Sequence, residues 1–486
     1  GYFLHISFCN YQVIANRVMG KGSGTGGEFN HSSSKSIKIS KEELGKHRSP
    51  NDAWMCYKGK VYDVSGWNDH PGGSVIYTHA GDDFTDVFAA FHPASAIRDL
   101  DRFYIGDLDD TPVAGNRSDE VIMHKKLQLF MKGYRELRAK MIAAGLFQAS
   151  YLFYVYKFMT NVTLLSASIL CVTLSNSFTV HMVGALLLAL FWQQCGWLAH
   201  DFLHHQVFKN RMYGDLMGII VGDLFQGFSV AWWKSKHNTH HAVPNLHESS
   251  PESHDGDPDI DTMPILAWTL RMAETAKSSK IGRMMIMWQA VLYFPVLLFA
   301  RLAWAHQSWV FVFGGIGQWS VKGASLDRKQ IKYPLLEKLA LILHHASLFY
   351  LLSFMPVCHA IPFFALSQGL CGLFLAIVFG LGHNGMAVYP ANERPDFWKL
   401  QVTTTRNVTS TPFVDWFCGG LQYQVDHHLF PMVPRNNLKA VHVLVESFCK
   451  EHEVSYHEAD MWVGTKEVLN HLNQVSAEFI EHFPAM

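Results

Sequence analysis

Residues 196–208 read Gly196-Trp-Leu-Ala-His-Asp-Phe-Leu-His-His-Gln-Val-Phe208 and close a long apolar run. On a helix, positions three or four apart share a face, so His200, His204 and His205 direct several imidazoles toward one place. Two further boxes repeat the pattern: His237-Asn-Thr-His240-His241 and Gln424-Val-Asp-His427-His428. Neutral imidazole suits iron, and a cluster of about eight such ligands can hold a pair of iron ions. The eight Cys are scattered without a CxxC pair, which argues against thiolate zinc and iron–sulfur sites and fits a reducing compartment. His383, in Gly382-His-Asn-Gly-Met386, ends another apolar run at the level of the boxes and joins them as a candidate iron ligand. The pair His344-His345 lies inside an apolar run with no box around it and reads as helix packing.

The runs that carry the boxes set the architecture. Hydrophobic residues make up 49% of the chain and charged residues 17%, below the roughly one quarter of average soluble domains. With a net charge of −1, no basic face points to nucleic acid. Four segments, 157–177, 180–199, 337–357 and 361–382, are long and apolar enough to span a bilayer. Two spans before the second box and two more before the third bring all boxes to one face. A fifth apolar run, 284–304, is broken by Gln289, Pro295 and Arg301. A full crossing there would strand the third box on the opposite face, so this run is expected to be re-entrant or interfacial. The acidic run Asp255-Gly-Asp-Pro-Asp-Ile-Asp261 lacks the Gly and Glu of a calcium loop and reads as a solvated or site-edge loop.

A second chemistry sits near the N-terminus. His70-Pro-Gly-Gly73 places an imidazole on a tight turn that can approach a haem iron, and Ala90-Phe-His92-Pro93 supplies a second axial ligand. Trp67, Val75, Ile76, Phe84, Val87, Phe88 and Phe91 are candidates for the haem pocket, whereas His79 lacks the proline neighbour and is set aside. The expected domains are a disordered stretch 1–36, a haem-binding domain 37–110, a linker and amphipathic helix 111–150, and a membrane domain 151–486. Residues 1–18 read as translated upstream sequence, with Met19 a natural start. A haem donor and an iron cluster in one chain form a circuit for oxidising an unactivated methylene with O2.

Residues 53–109 resemble cytochrome b5, including Tyr62-Asp63-Val64 and Phe103-Tyr-Ile-Gly-Asp107. Residues 37–486 resemble the front-end fatty-acid desaturases, which carry that domain fused, and are most similar to the algal and diatom delta-6 group. Gln424 at the head of the third box is the mark of the group, with Gly256-Asp-Pro-Asp-Ile-Asp-Thr-Met-Pro264 and Asp415-Trp-Phe-Cys-Gly-Gly-Leu-Gln-Tyr423 as further similar stretches. The resemblance implies an α+β haem domain fused to an all-α integral membrane domain with four transmembrane helices and a cytosolic histidine-box cap. It implies haem b on His70 and His92, and a di-iron centre on His200, His204, His205, His237, His240, His241, His427 and His428. His383 and Gln424 stand beside that set, and no catalytic residue beyond the ligands is implied. Asp201 and Asp426 are candidates to fix imidazole tautomers. The implied reaction inserts a cis double bond between an existing one and the carboxyl end of an acyl-lipid or acyl-CoA. It consumes O2 and electrons from NADH delivered by a cytochrome b5 reductase. The implied location is the endoplasmic reticulum membrane, with both termini cytosolic. Segment 408–414 is shorter than the resemblance implies. Alternatives are delta-5, delta-8 or sphingolipid desaturation, hydroxylation on the same scaffold, or a non-catalytic membrane haem carrier.

Overall fold

The computed structural model describes residues 37–67, 69–109, 118–249, 255–314 and 331–484. The stretch 1–36, expected to be disordered, and the linker residues 110–117 lie outside the described residues.

The N-terminal module is built on one sheet of β1 (Lys38–Ser40), β2 (Arg48–Ser49), β3 (Asp52–Tyr57), β4 (Lys60–Asp63) and β5 (Tyr104–Asp109), in the order β1-β5-β4-β3-β2. Ser40 caps the short α1 (Lys41–Leu44) by accepting from the Glu43 amide at 3.1 Å. The β3–β4 hairpin turns at Lys58-Gly59, both with positive φ, the geometry a two-residue hairpin needs to match strand twist. Ala53, Met55, Tyr62 and Val64 are buried beneath α2 (Thr85–Phe91) and a 3-10 turn, Gly73–His79.

From α3 (Ser118–Ala143) the chain enters its membrane part. Among the described residues, α4 (Tyr151–Thr173), α5 (Phe178–Leu203), α12 (Pro334–Leu352) and α13 (Val357–His383) are each long and apolar enough to cross a membrane. The first begins earlier than the expected 157 because Tyr151, Tyr154 and Tyr156, amphipathic residues of the kind that sit at the headgroup level, belong to the helix. Short connections, 174–177 and 353–356, make each pair a hairpin. The most buried of the four is α5, whose Phe191, Trp192 and Trp197 pack with Phe363 and Leu375 of α13. On α4, Leu152, Val155, Tyr156 and Met159 are exposed, an apolar face suited to lipid.

Two bent units lie between the hairpins. The first runs from α6 (Arg211–Gly218) through a π-helical stretch (Ile219–Gln226) and turns by 108° into α7 (Val230–Ala242). After α8 (Leu270–Glu274) and α9 (Lys280–Met287), α10 (Gln289–Leu297) and α11 (Ala300–Phe313) meet at 64°. The 284–304 run is therefore divided and bent rather than one straight helix. Arg301 turns inward, bonding Gln368, the Gln226 carbonyl and His344, instead of facing lipid. The chain closes with α14 (Phe397–Thr403), β6 (Asn407–Val408), α15 (Pro412–Phe417), α16 (Gln424–Leu429), α17 (Leu438–Glu451), β7 (Glu458–Ala459) and α18 (Met461–His482). The short segment 408–414 is accommodated without a gap: β6 pairs in parallel with β7, and Thr411 caps the proline-led α15.

Candidate metal centre and haem site

The ends of α5 and α13, the last turns of α7, and α16 converge. Ser229 caps α7 by accepting from the Trp232 amide at 3.1 Å, and the helix then presents His237, His240 and His241 at i, i+3 and i+4. His200 lies in the last turn of α5, His383 ends α13, and α16 carries Gln424, His427 and His428; all are buried.

The side chains sort into two groups. His200, His204, His237, His241 and His427 bring ring nitrogens within 4.8 Å of one another, and so do His240, His383 and His428. In the first group the Nε2 atoms of His237 and His204 are 2.9 Å apart, those of His241 and His237 3.0 Å, and those of His427 and His241 3.2 Å. In the second, His240 and His383 approach through Nε2 at 3.2 Å, and the Gln424 amide lies 2.7 Å from His383 Nε2. A metal–nitrogen bond of ~2.1 Å sets two ligand nitrogens at a right angle roughly 3 Å apart, so these spacings fit imidazoles gathered around an ion. His200 Nε2 and His428 Nε2 are buried without a hydrogen-bond partner, the condition of an atom kept for a cation. Burial pushes His427 down to about 3 and holds His428 well below the ordinary imidazole value, which keeps both in the neutral, ligating form.

His205 stands apart from both groups. The chain reverses there with φ 56°, and the ring faces Lys234 Nζ at 3.3 Å and Asp215 at 3.9 Å. The residues that orient the clustered rings also differ from those expected. His240 Nδ1 meets Asp257 at 2.9 Å, and that carboxylate also accepts from the Asn245 amide. His428 Nδ1 donates to the Gln401 side-chain oxygen at 2.8 Å, while Gln401 Nε2 donates to the His241 carbonyl. Asp257 lies in the acidic run and is a buried wall of the site. Asp201 is engaged by Arg435 at 2.7 Å and lies 3.6 Å from His200 Nδ1. Asp426 meets no clustered histidine; it accepts from Tyr456 and Asn407 and faces His442, bracing β6 and the 456–458 segment. His344 lies between Arg301 and the Leu224 carbonyl, a packing position.

In the N-terminal module, His70 Nδ1 donates to the Gly73 carbonyl at 3.1 Å and His92 Nδ1 to the Phe88 carbonyl at 3.2 Å. Fixing Nδ1 leaves each Nε2 free as a ligand atom. The ring centroids are 6.0 Å apart, a spacing that suits a haem iron held between two imidazoles. Burial lowers both rings, His92 to about 4, so they stay neutral. Phe84, Phe88, Trp67, Ile76 and Val87 cluster about this slot, Val75 lies beside the His70 turn and also packs on Ala242, Val243 and Leu246 at and past the end of α7, and Phe91 packs toward His241. His79 is buried beside the Thr78 hydroxyl.

Fold and site define a membrane-embedded metalloprotein joined to a haem-binding module. Residues 177–460 match the fatty acid desaturase family, and residues 40–109 match the cytochrome b5-like heme/steroid binding domain. The acyl-lipid (9-3)-desaturase of Physcomitrium patens is 38% identical over 89% of this chain and 77% of its own length. The Delta(6)-fatty-acid desaturase fat-3 of Caenorhabditis elegans is 33% identical over 85% of this chain and 93% of its own. The Delta(8)-fatty-acid desaturase of Euglena gracilis is 34% identical, over 88% and 96%. The chain belongs to the fatty acid desaturase family, in the front-end branch that carries a fused cytochrome b5 domain. Membership implies a haem in the N-terminal module and a di-iron centre among the clustered histidines.

Proposed function

We propose that this desaturase inserts a cis double bond at carbon six of C18 polyunsaturated acyl chains. The observation that carries the desaturase chemistry is the convergence of eight buried imidazoles, with Gln424 beside them, into two adjoining groups; carbon six is the position in the name of one relative. His200, His204, His237, His241 and His427 would hold one iron; His240, His383 and His428 would hold the other, with the Gln424 side chain set against His383 either to add its amide oxygen or to orient that ring. His70 and His92 are the proposed axial haem ligands.

When bound, the iron pair supplies with O2 an oxidant able to remove hydrogen from a methylene, which acid–base side chains cannot do. Overall, O2 takes four electrons and four protons and leaves as two waters; two electrons and two protons come from adjacent C–H bonds, the other two electrons come through the haem, and the other two protons come from water. The protein contributes orientation and dryness. Asp257 and Gln401 hold the rings of His240 and His428, and burial of the cluster excludes bulk water. Electrons are proposed to arrive from NADH through a cytochrome b5 reductase, at the endoplasmic reticulum, with both termini and the histidine boxes cytosolic. The substrate is an acyl-lipid or acyl-CoA.

A second reading, desaturation at carbon eight or five, is favoured by relatives named for those positions. Expression of the chain in yeast, which lacks polyunsaturated fatty acids, with linoleic acid, alpha-linolenic acid or longer polyunsaturated acids supplied separately, tests both. Mass spectrometry is expected to locate a new double bond at carbon six, lost in His428→Ala and His70→Ala. Products only from longer acids, with the bond at carbon eight or five, would replace the delta-6 assignment.

A further inference from the structure

We infer that the haem module is locked onto the iron site by a row of arginines along α2, and that Phe91 at the end of this row couples the two redox sites. This rests on the proposed function. Phe91 is the chain neighbour of His92, and its ring stands edge-on to the His241 ring with centroids 6.1 Å apart. One residue therefore adjoins a proposed haem ligand and a proposed iron ligand.

The grip begins just before α2 and continues to its last residue. Arg394 bonds Asp82 and the Thr78 carbonyl. Arg135 of α3 takes both oxygens of Asp86 at 2.8 Å each. Arg138 donates to the Ala89 carbonyl at 2.7 Å, and Arg211, at the start of α6, donates to the Phe91 carbonyl at 2.8 Å. A forked guanidinium–carboxylate pair fixes orientation as well as distance. The supports of these arginines are themselves tied to the iron site. Tyr134 of α3 donates to the Leu429 carbonyl next to His428, and Arg211 follows the first histidine box. Apolar contacts fill the remainder of the seam, with Val75 on Ala242, Val243 and Leu246, and Ala90 among Phe130, Tyr134 and Leu137. Charged clamps around packed apolar contact define one pose rather than a module loose on its linker.

With both groups bound, each electron would pass from ferrous haem, left ferric, to the iron pair across this seam. Two such transfers serve each double bond. The Phe91 ring stands at that seam, edge-on to His241. Arg135 and Arg394 are positioning residues.

The test uses the full chain loaded with haem and iron. The haem is reduced anaerobically, oxygenated buffer and acyl substrate are added, and haem reoxidation is followed by absorbance, with the iron-depleted chain as background. Phe91→Ala is expected to slow iron-dependent reoxidation. Its haem spectrum and reduction potential should stay those of the unaltered protein, and Phe91→Tyr should restore the rate. Hydrogen–deuterium exchange on the iron-depleted chain reads docking separately. Replacing Arg135 and Arg394 together by Ala should raise exchange across 73–92 while haem content is retained. Unchanged reoxidation in Phe91→Ala overturns the coupling, and unchanged exchange in the double variant overturns the lock. If iron does not accelerate reoxidation in the unaltered chain, the proposed function fails, and the coupling with it.

Discussion

His204 and His205 are neighbours in sequence with different surroundings. His204 faces His237 through Nε2, whereas the positive φ of His205 swings its ring to Lys234 and Asp215. His204→Ala should therefore lose non-haem iron, while His205→Ala should retain it; metal analysis of the two purified variants, with haem absorbance as the reference, checks this. Asp257 sets the tautomer of His240, so Asp257→Asn should weaken iron retention by about 10–100-fold, measured by competition with a chelator. Retention equal to the unaltered protein would remove Asp257 from the site. The boxes were legible in the sequence because i, i+3 and i+4 spacing writes convergence into a single helix. The separation of His205 was not, because it depends on one backbone reversal after α5. Asp257 and Gln401 were also hidden: they meet His240 and His428 across the fold, and nothing in the run Asp255–Asp261 marks which carboxylate is buried.

At the scale of elements, α5 is pinned to the box-three segment. Gln193 and Trp197 both donate to the Phe417 carbonyl, at 3.2 and 2.9 Å, one to two turns before His200. Gly419 makes the close approach possible: its φ is +60°, and a Cβ there would run into the Trp197 ring. Gly419→Ala should destabilise the protein by roughly 2–4 kcal/mol through left-handed backbone strain and overpacking, seen as a lower Tm in detergent; an unchanged Tm would mean that Trp197 moves aside freely. Hydropathy located the spans, and their order was enough to set 284–304 apart. It did not reveal the bend between Gln226 and Val230, because Arg211–Ala242 combines a π-helical stretch with a left-handed Gly227 that no regular period announces.

For the whole molecule, α5 and α13 both end at the histidine site, so their starting ends lie on the opposite face. Cys358, exposed at the start of α13, reports that face. In sealed microsomes a membrane-impermeant thiol reagent added outside should leave Cys358 unmodified until the membrane is permeabilised, as read by peptide mass spectrometry. Immediate labelling would invert the proposed orientation. One chain is proposed to hold a haem and, separately, an iron pair within its histidine groups. Mössbauer and metal analysis of iron-57-enriched protein tests it most directly. Two non-haem, nitrogen-ligated irons are expected for every haem, with the non-haem signal alone lost in His204→Ala. A fully haem-loaded chain that binds no non-haem iron, or only one, would contradict it.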